Sequence, residues 1–309
     1  MRSTTLDMRR RQRTLQAGVL VCCCLAASPL RAQPESTLHR TLDSIARTSG
    51  GQLGVGIEVL ETNRRVTVND AFHYPMQSVY KLPIAMAVLH RVDARELGLD
   101  SVVDVRPADF VSRGQYSPVR DAHPEGTRMT IRELLRFTVS ESDGSTSDVA
   151  LGLAGGPPRV MRYLRGLGIQ NLVVATTEQE MGRDSRVQFR NWTTPSGCLS
   201  VLRALASGHA LSDSSHALLM HYLMSGTRGT ARLAGLLPPG TPVAHKPGTS
   251  GTAGGVTAAT NDIGIVTLPN GRQMAIAVLL SNARGTAAAR DSVIARVSRA
   301  AYDALSAAP

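Results

Sequence analysis

Lysine is almost missing from this chain: of 34 basic residues only Lys81 and Lys246 are lysines, and the rest are arginines. Arginine keeps its proton in any protein environment, whereas a desolvated lysine can give its proton up, so two retained lysines point to work a guanidinium cannot do. Aromatic residues are also few, at 4% with a single Trp, and the arginines are scattered rather than blocked. That excludes a basic, base-stacking surface, and no nucleic-acid partner is expected. Cysteine is scarce where it matters, because three of the four lie at Cys22, Cys23 and Cys24 and only Cys198 stands in the body of the chain. A single thiol makes no internal disulfide, so stability must come from a core, and 309 residues with 42% apolar content can build one. The eight histidines show no HExxH or related ligand spacing, so no metal and no other cofactor is expected.

The first 32 residues do not belong to the fold. Arg9-Arg10-Arg11-Gln12-Arg13 is a basic start, Leu15 to Leu30 an apolar run, and Leu30-Arg31-Ala32 a cleavage site before Gln33. This is the pattern of a secretory signal peptide, and the run is too short and interrupted for a membrane span. The mature chain is expected in the periplasm or outside the cell, without stable membrane association, and nothing in it demands a partner subunit. Losing the leader removes six Arg and one Asp, which lowers the formal charge from +10 to +5.

What is present centres on Ser78-Val79-Tyr80-Lys81, where Tyr74-Pro75-Met76-Gln77 gives way to the apolar run Leu82 to Leu89. A spacing of three puts hydroxyl and amine on one face of a first helical turn, beside free backbone N–H groups, which suits a serine nucleophile. Before it, Gly54 to Leu60 and Arg65 to Val68 read as a hairpin; after it, residues 79–236 read mainly as helices and loops, with Thr130 and Glu133 as a capping box. Strands return at Pro242 to Lys246, Ala258 to Leu268 and Gln273 to Leu280, and a last helix runs from about Thr286 to Leu305. Strands at both ends imply an α/β domain built from 33–78 and 237–309, an all-α domain from 79–236, and a site in the cleft between them.

Three further stretches fall where such a cleft needs them: Ser140-Glu141-Ser142-Asp143-Gly144, the polar loop Ala175 to Arg190 with Glu178, and His245-Lys246-Pro247-Gly248-Thr249-Ser250-Gly251. With the Ser78 motif they make the chain resemble a class A serine β-lactamase over nearly all of its mature length. Pro75 to Leu82, Phe189-Arg190-Asn191-Trp192-Thr193 and Thr260-Asn261-Asp262 are similar to the extended-spectrum, Bacteroidetes-like subgroup. The resemblance implies a β-lactamase/transpeptidase-like fold, an antiparallel five-stranded sheet with flanking helices and an inserted helical domain. It implies Ser78 as the acylated nucleophile, Lys81 as its proton-transfer neighbour, and Ser142 as proton relay to the leaving nitrogen. Glu178 would activate the hydrolytic water, with Glu180 as the rival carboxylate, and whether Glu178 or Lys81 is the acylation base stays open. Lys246 would hold the anionic substrate and tune Ser142, and the N–H groups of Ser78 and Thr249 would form an oxyanion hole beside Gly248. Arg232 would reach the substrate carboxylate and Tyr116 would wall the cleft mouth.

Three residues depart from the family pattern: Gly144 replaces an Asn, Pro247 a Thr or Ser, and Gly182 an Asn or His. Each deletes a polar side chain. The expectation is that Thr249, Ser250 and Arg232 take over carboxylate binding, and that Gly144 and Gly182 leave room for ordered waters. Two other functions use the same residues: a D-Ala-D-Ala peptidase or esterase, which has no need of Glu178, and a non-catalytic β-lactam or muropeptide binder.

Overall fold

The structure is a computed structural model that describes residues 34–306. The signal-peptide reading of residues 1–32 lies outside the described residues. Helix α1 (Pro34–Arg47) turns Leu38, Leu42 and Ile45 inward on one stripe and leads into the hairpin of β1 (Gln52–Val59) and β2 (Arg64–Val68). After β3 (Tyr74–Pro75) comes a 3-10 turn, Gln77–Tyr80, that runs directly into α2 (Lys81–Asp93). Ser78 therefore sits in the tighter turn that precedes the α-helix and not in the helix's own first turn. Every residue of α2 from Lys81 to Leu89 is buried, so this helix is apolar all round and forms the axis of the helical layer.

Around it, in chain order, lie β4 (Val102–Val105), α3 (Pro118–Ala122), β5 (Thr127–Thr130), α4 (Ile131–Val139), α5 (Gly144–Leu153) and α6 (Gly156–Gly166). Thr130 and Glu133 close the expected capping box on α4. Next come β6 (Leu172–Val173), the short α7 (Glu178–Arg183), a 3-10 turn Ser185–Arg190, β7 (Trp192–Thr193), α8 (Pro195–Ala206) and α9 (Asp213–Met224). The chain ends with β8 (Val243–Thr249), β9 (Thr252–Ala253), β10 (Val256–Thr267), β11 (Gln273–Ala283) and α10 (Ala287–Ser306).

The main sheet is antiparallel in the order β2-β1-β11-β10-β8, five strands as the family likeness implies, with two-residue β9 added on β10. Alternation along β11 feeds two cores. Met274, Ile276, Val278 and Leu280 pack towards α1 and α10 with Leu42, Ile294 and Val297, while Ala275, Ala277 and Leu279 face Leu199, Leu202 and the helices around α2. Helix α8, which the expected division assigns to the helical domain 79–236, packs on β1 and β11 and so belongs to the layers of the sheet. Cys198 on that helix is buried, and burial pushes its thiol up to about 12, which leaves it unreactive.

Candidate active site

The position of Ser78 is set from beneath by one buried amide. Asn261 on β10 donates through Nδ2 to the carbonyls of Pro75 (2.8 Å) and Met76 (3.1 Å), while its Oδ1 accepts from the Leu280 N–H on the next strand. Met76 N–H donates in turn to the Asn191 carbonyl, and Gln77 takes the left-handed conformation (φ 49°) that turns the chain into the 3-10 segment. Strand β8 comes very close at this point. A Cβ on Gly248 would lie 2.6 Å from the Met76 carbonyl oxygen and 3.1 Å from the backbone nitrogens of Ser78 and Val79, so only glycine lets the strand approach the Ser78 amide.

Lys81 is 1% exposed, and its ammonium meets three oxygens. Nζ donates to the carbonyls of Ser142 (2.7 Å) and Asp143 (3.3 Å) and pairs with Glu178 Oε1 at 3.1 Å. The choice between the two loop carboxylates is plain in the geometry, because Glu180 is spent on its own helix end. It closes a capping box with Thr177 and accepts from the Thr176 hydroxyl at 2.5 Å, leaving Glu178 as the one facing Lys81. Glu178 is held by Asp148 on α5, whose carboxylate accepts the N–H groups of Glu178 (2.8 Å) and Gln179 (2.9 Å). Burial raises the Asp148 carboxyl from 3.8 to about 7, with the Glu178 charge adding to the rise and those two N–H groups opposing it.

On the opposite wall, Ser142 has φ 61°, which aims its carbonyl at Lys81 and its hydroxyl at Lys246. Lys246 Nζ donates to Ser142 Oγ at 2.8 Å. Complete burial, then the charge of Lys81, holds the Lys246 ammonium well below its usual range, against the opposite pull of Asp262 and Glu178. Next along the chain, buried Asp143 caps α5 by accepting from Thr146 N–H and ties the loop to Ser117 Oγ and Val119 N–H. The helix-capping role thus belongs to Asp143, which leaves Ser142 to line the cleft.

The cleft has two connected sides. One, of about 360 Å³, is lined by Ser78, Lys81, Gln115, Ser142, Glu178 and Ser250 among others; its neighbour, of about 310 Å³, by Ser78, Ser142, Arg228, Arg232, Gly248 and Thr249. Of the ten residues expected at the site, nine line it and the tenth, Lys246, stands directly behind Ser142. Arg232 is 7% exposed and its donors are engaged by protein: Asp291 at 2.7 Å, the Gly248 and Asn261 carbonyls at 3.1 and 2.9 Å, and Thr249 Oγ1 at 2.6 Å. It therefore faces the cleft through the Thr249 hydroxyl, which it orients. Ser250 Oγ is occupied by backbone, donating to the neighbouring Gly251 carbonyl and accepting from Ala259 N–H on β10. Tyr116 lies at the mouth, 45% exposed, with the Arg228 guanidinium 4.3 Å from its ring centre. Pro247 sits on β8, the outermost strand of the path, where a missing N–H breaks no ladder on the free side.

The water space expected at Gly182 is occupied by the Gln115 amide, and Gly144 lies close against its neighbours. A Cβ at 144 would already press on the Tyr116 carbonyl (3.1 Å) and Val111 (3.2 Å), and one at 182 would fall 2.0 Å from the Gln115 side-chain oxygen. Sequence reasoning missed Asp148, Gln115, Arg228 and the anchoring role of Asn261. None has a local signature, since each acts on residues far away in the chain; Asn261 stands inside Thr260-Asn261-Asp262 and Gln115 beside Tyr116, but neither phrase tells what the amide holds. Among the described residues no group of three or more His, Cys, Asp and Glu is placed to hold a metal, and no helix is long and apolar enough to cross a membrane.

Comparison with known proteins matches this arrangement. Residues 37–305 match the family model described as the beta-lactamase enzyme family. The chain is 36% identical over 266 residues to the extended-spectrum beta-lactamase PER-1 of Pseudomonas aeruginosa, covering 86% of each chain, and 33% identical over 296 residues to a beta-lactamase of Bacteroides uniformis, covering 93% of this chain and 98% of that one. The crystal structure of a beta-lactamase from Chitinophaga pinensis superposes with a TM-score of 0.84 at 40% identity, over 87% of this chain and 99% of the other. A serine, two buried lysines and an ion-paired glutamate converging on one cleft, in a chain matched along nearly its whole described length, show that it belongs to the beta-lactamase enzyme family and to its class A serine branch.

Proposed function

We propose that Ser78, Lys81, Ser142, Glu178 and Lys246 hydrolyse the β-lactam amide in two steps through an acyl-enzyme. In the first, Ser78 Oγ attacks the lactam carbonyl while its proton passes through water to Glu178, or to Lys81 after that ammonium has given a proton to its partner Glu178. The carbonyl oxygen becomes an oxyanion held by the N–H groups of Ser78 and Thr249. Collapse breaks the C–N bond, and Ser142 gives its proton to the departing nitrogen and takes in its place the proton removed from Ser78, handed on by Lys81, while Lys246 steadies its oxygen. In the second step Glu178 takes a proton from water, the hydroxide attacks the acyl carbonyl, and the Ser78 ester bond breaks with the proton returned to Oγ.

The observation that carries this reading is the Lys81–Glu178 pair at 3.1 Å facing the same cleft as Ser78 and the Lys246–Ser142 pair. The ammonium fixes the position of the carboxylate, on the cleft wall where it can accept a proton from water. A peptidase using the serine and lysines alone gives Glu178 no task. Carboxylate binding falls to Thr249, oriented by Arg232, and to the exposed Arg228. The mature chain, from about Gln33, acts as a monomer on a small β-lactam after export, a reading supported by the basic and apolar leader.

Intact-mass measurement after mixing with a cephalosporin tests the assignment. Glu178→Gln accumulates a stable adduct on Ser78, the parent clears it, and Ser78→Ala forms none. No adduct in Glu178→Gln, or hydrolysis by Ser78→Ala above background, overturns it.

A further inference from the structure

Glu178 is reached from the far wall by an amide that no family motif contains. The segment 108–116 and helix α7 exchange two glutamine side chains in opposite directions. Gln179 Nε2 donates to the carbonyls of Ala108 (2.8 Å) and Phe110 (3.0 Å), and Gln115 Nε2 donates to the Glu178 carbonyl at 2.6 Å. The Gln115 amide is itself fixed, because its oxygen accepts the Ser112 N–H (3.2 Å) and hydroxyl (3.0 Å). Its place is made by Gly182, which follows Glu178 by one helical turn and so shares its face of α7. A Cβ on residue 182 would overlap the amide, at 2.0 Å from Oε1 and 2.7 Å from Cδ.

We propose that Gln115 is a positioning residue for the deacylation base, and that Gly182 is retained as the space that admits it. The inference rests on the reading of Glu178 as the water activator. Physically, a helix of six residues cannot hold its first turn rigid alone, and Glu178 is its first residue. The Asp148 carboxylate grips the N–H side of this residue and Gln115 grips the carbonyl side. With both in place the Glu178 backbone is clamped at either end, and its side chain is aimed at Lys81 and the water that must lie between it and Ser78. Ser78 and Ser142 are anchored separately, through Asn261 and the loop that Asp143 ties down, and Lys81 keeps the Ser142 and Asp143 carbonyls, so loss of the Gln115 clamp falls mainly on the second chemical step, where Glu178 acts directly on water.

The test is a double-mutant cycle read on the deacylation rate itself, by forming the acyl-enzyme in a short pulse with a cephalosporin and following its loss by intact mass. Gln115→Ala removes the clamp, and Gly182→Ala expels it by filling its space, at a position whose helical backbone accepts alanine. Each slows deacylation about tenfold, equivalent to about 1.4 kcal/mol, while the acylation rate falls about threefold or less. The double variant is no slower than either single, because both remove one interaction. Deacylation at the parent rate in either single variant, equal losses in both steps, or multiplying effects in the double variant overturns the proposal. Glu178→Gln run alongside separates the two levels: if it traps adduct while the Gln115 and Gly182 variants clear at the parent rate, only the clamp is wrong; if it traps nothing, the catalytic reading fails.

Discussion

Replacing Asp148 by asparagine turns the support beneath Glu178 into a measurable pH dependence. The parent carboxyl titrates near 7 in the folded chain against an ordinary 3.8, chiefly because it is buried. For an acid whose folded value is raised, the folded state keeps a proton between about pH 4 and 7 that the unfolded chain has lost, so stability falls as pH climbs through that window. A shift of about three pH units corresponds to at most about 4 kcal/mol lost by pH 8. The amide in the Asp148→Asn variant does not titrate, but its single carbonyl serves only one of the two N–H groups now bound at 2.8 and 2.9 Å, at a pH-independent cost of about 1 kcal/mol. The variant is therefore less stable than the parent near pH 4.5 and overtakes it towards pH 8. Urea unfolding of both proteins by far-ultraviolet circular dichroism, from pH 4.5 to 8.5, gives the difference directly. A difference that stays flat with pH, or one that moves against the variant as pH rises, refutes the reasoning, the second outcome meaning that the two N–H groups outweigh burial and keep Asp148 ionised.

Other perturbations follow from single contacts. Gly248→Ala drives a methyl into the Met76 carbonyl and the Ser78 amide, displacing β8 from Ser78; kcat/KM for a chromogenic cephalosporin falls about 100-fold or more, and a loss under threefold would show that the strand yields freely. Arg232→Lys leaves the Gly248 and Asn261 carbonyls without their donor and frees the Thr249 hydroxyl, costing about 2 to 4 kcal/mol in urea unfolding and raising KM; unchanged stability counts against the buried network. The Tyr80 hydroxyl is buried near Glu178 and Asp148 without a hydrogen bond of good geometry, and burial, then the two carboxylates, holds its titration well above the usual tyrosine range. Tyr80→Phe removes an unsatisfied group and stabilises the fold by about 1 kcal/mol, seen as a higher Tm, whereas a lower Tm would reveal a bound partner such as water.

What the sequence makes legible is what lies on one element or follows from residue chemistry. Ser78 and Lys81 are three apart in one continuous helical stretch, Thr130 and Glu133 form a capping box, and Gln273 to Leu280 reads as a strand, which the fold buries on both faces. The scarcity of lysine singled out both ammonium groups at the site before any fold was known. Partnerships between elements were not legible, because they depend on how one backbone lies against another. Nothing local in Gln115 or Asp148 sets either apart from a surface amide or carboxylate, yet both hold Glu178 from segments 63 and 30 residues away. The same limit explains the misread space at Gly182. Reading Gly144 and Gly182 as lost side chains is correct chemistry for an isolated position, but a packed interior does not leave such space empty when a neighbouring chain segment can enter it.

This bears on how the departures from the family pattern should be weighed. A polar group deleted at one position harms the site only if no other element supplies its function, and here other parts of the chain stand beside all three positions. An amide from the 112–116 loop stands at residue 182, and the Tyr116 carbonyl, accepting from Gly144 N–H, seats that loop against α5. The Thr249 hydroxyl, aligned by Arg232, remains on the strand where Pro247 offers none. Gly144 and Gly182 are thus coupled to one segment, residues 111–116, which carries Val111, Gln115 and Tyr116 together. Restoring a side chain at either glycine without altering that segment should disturb the site, because the space belongs to the loop.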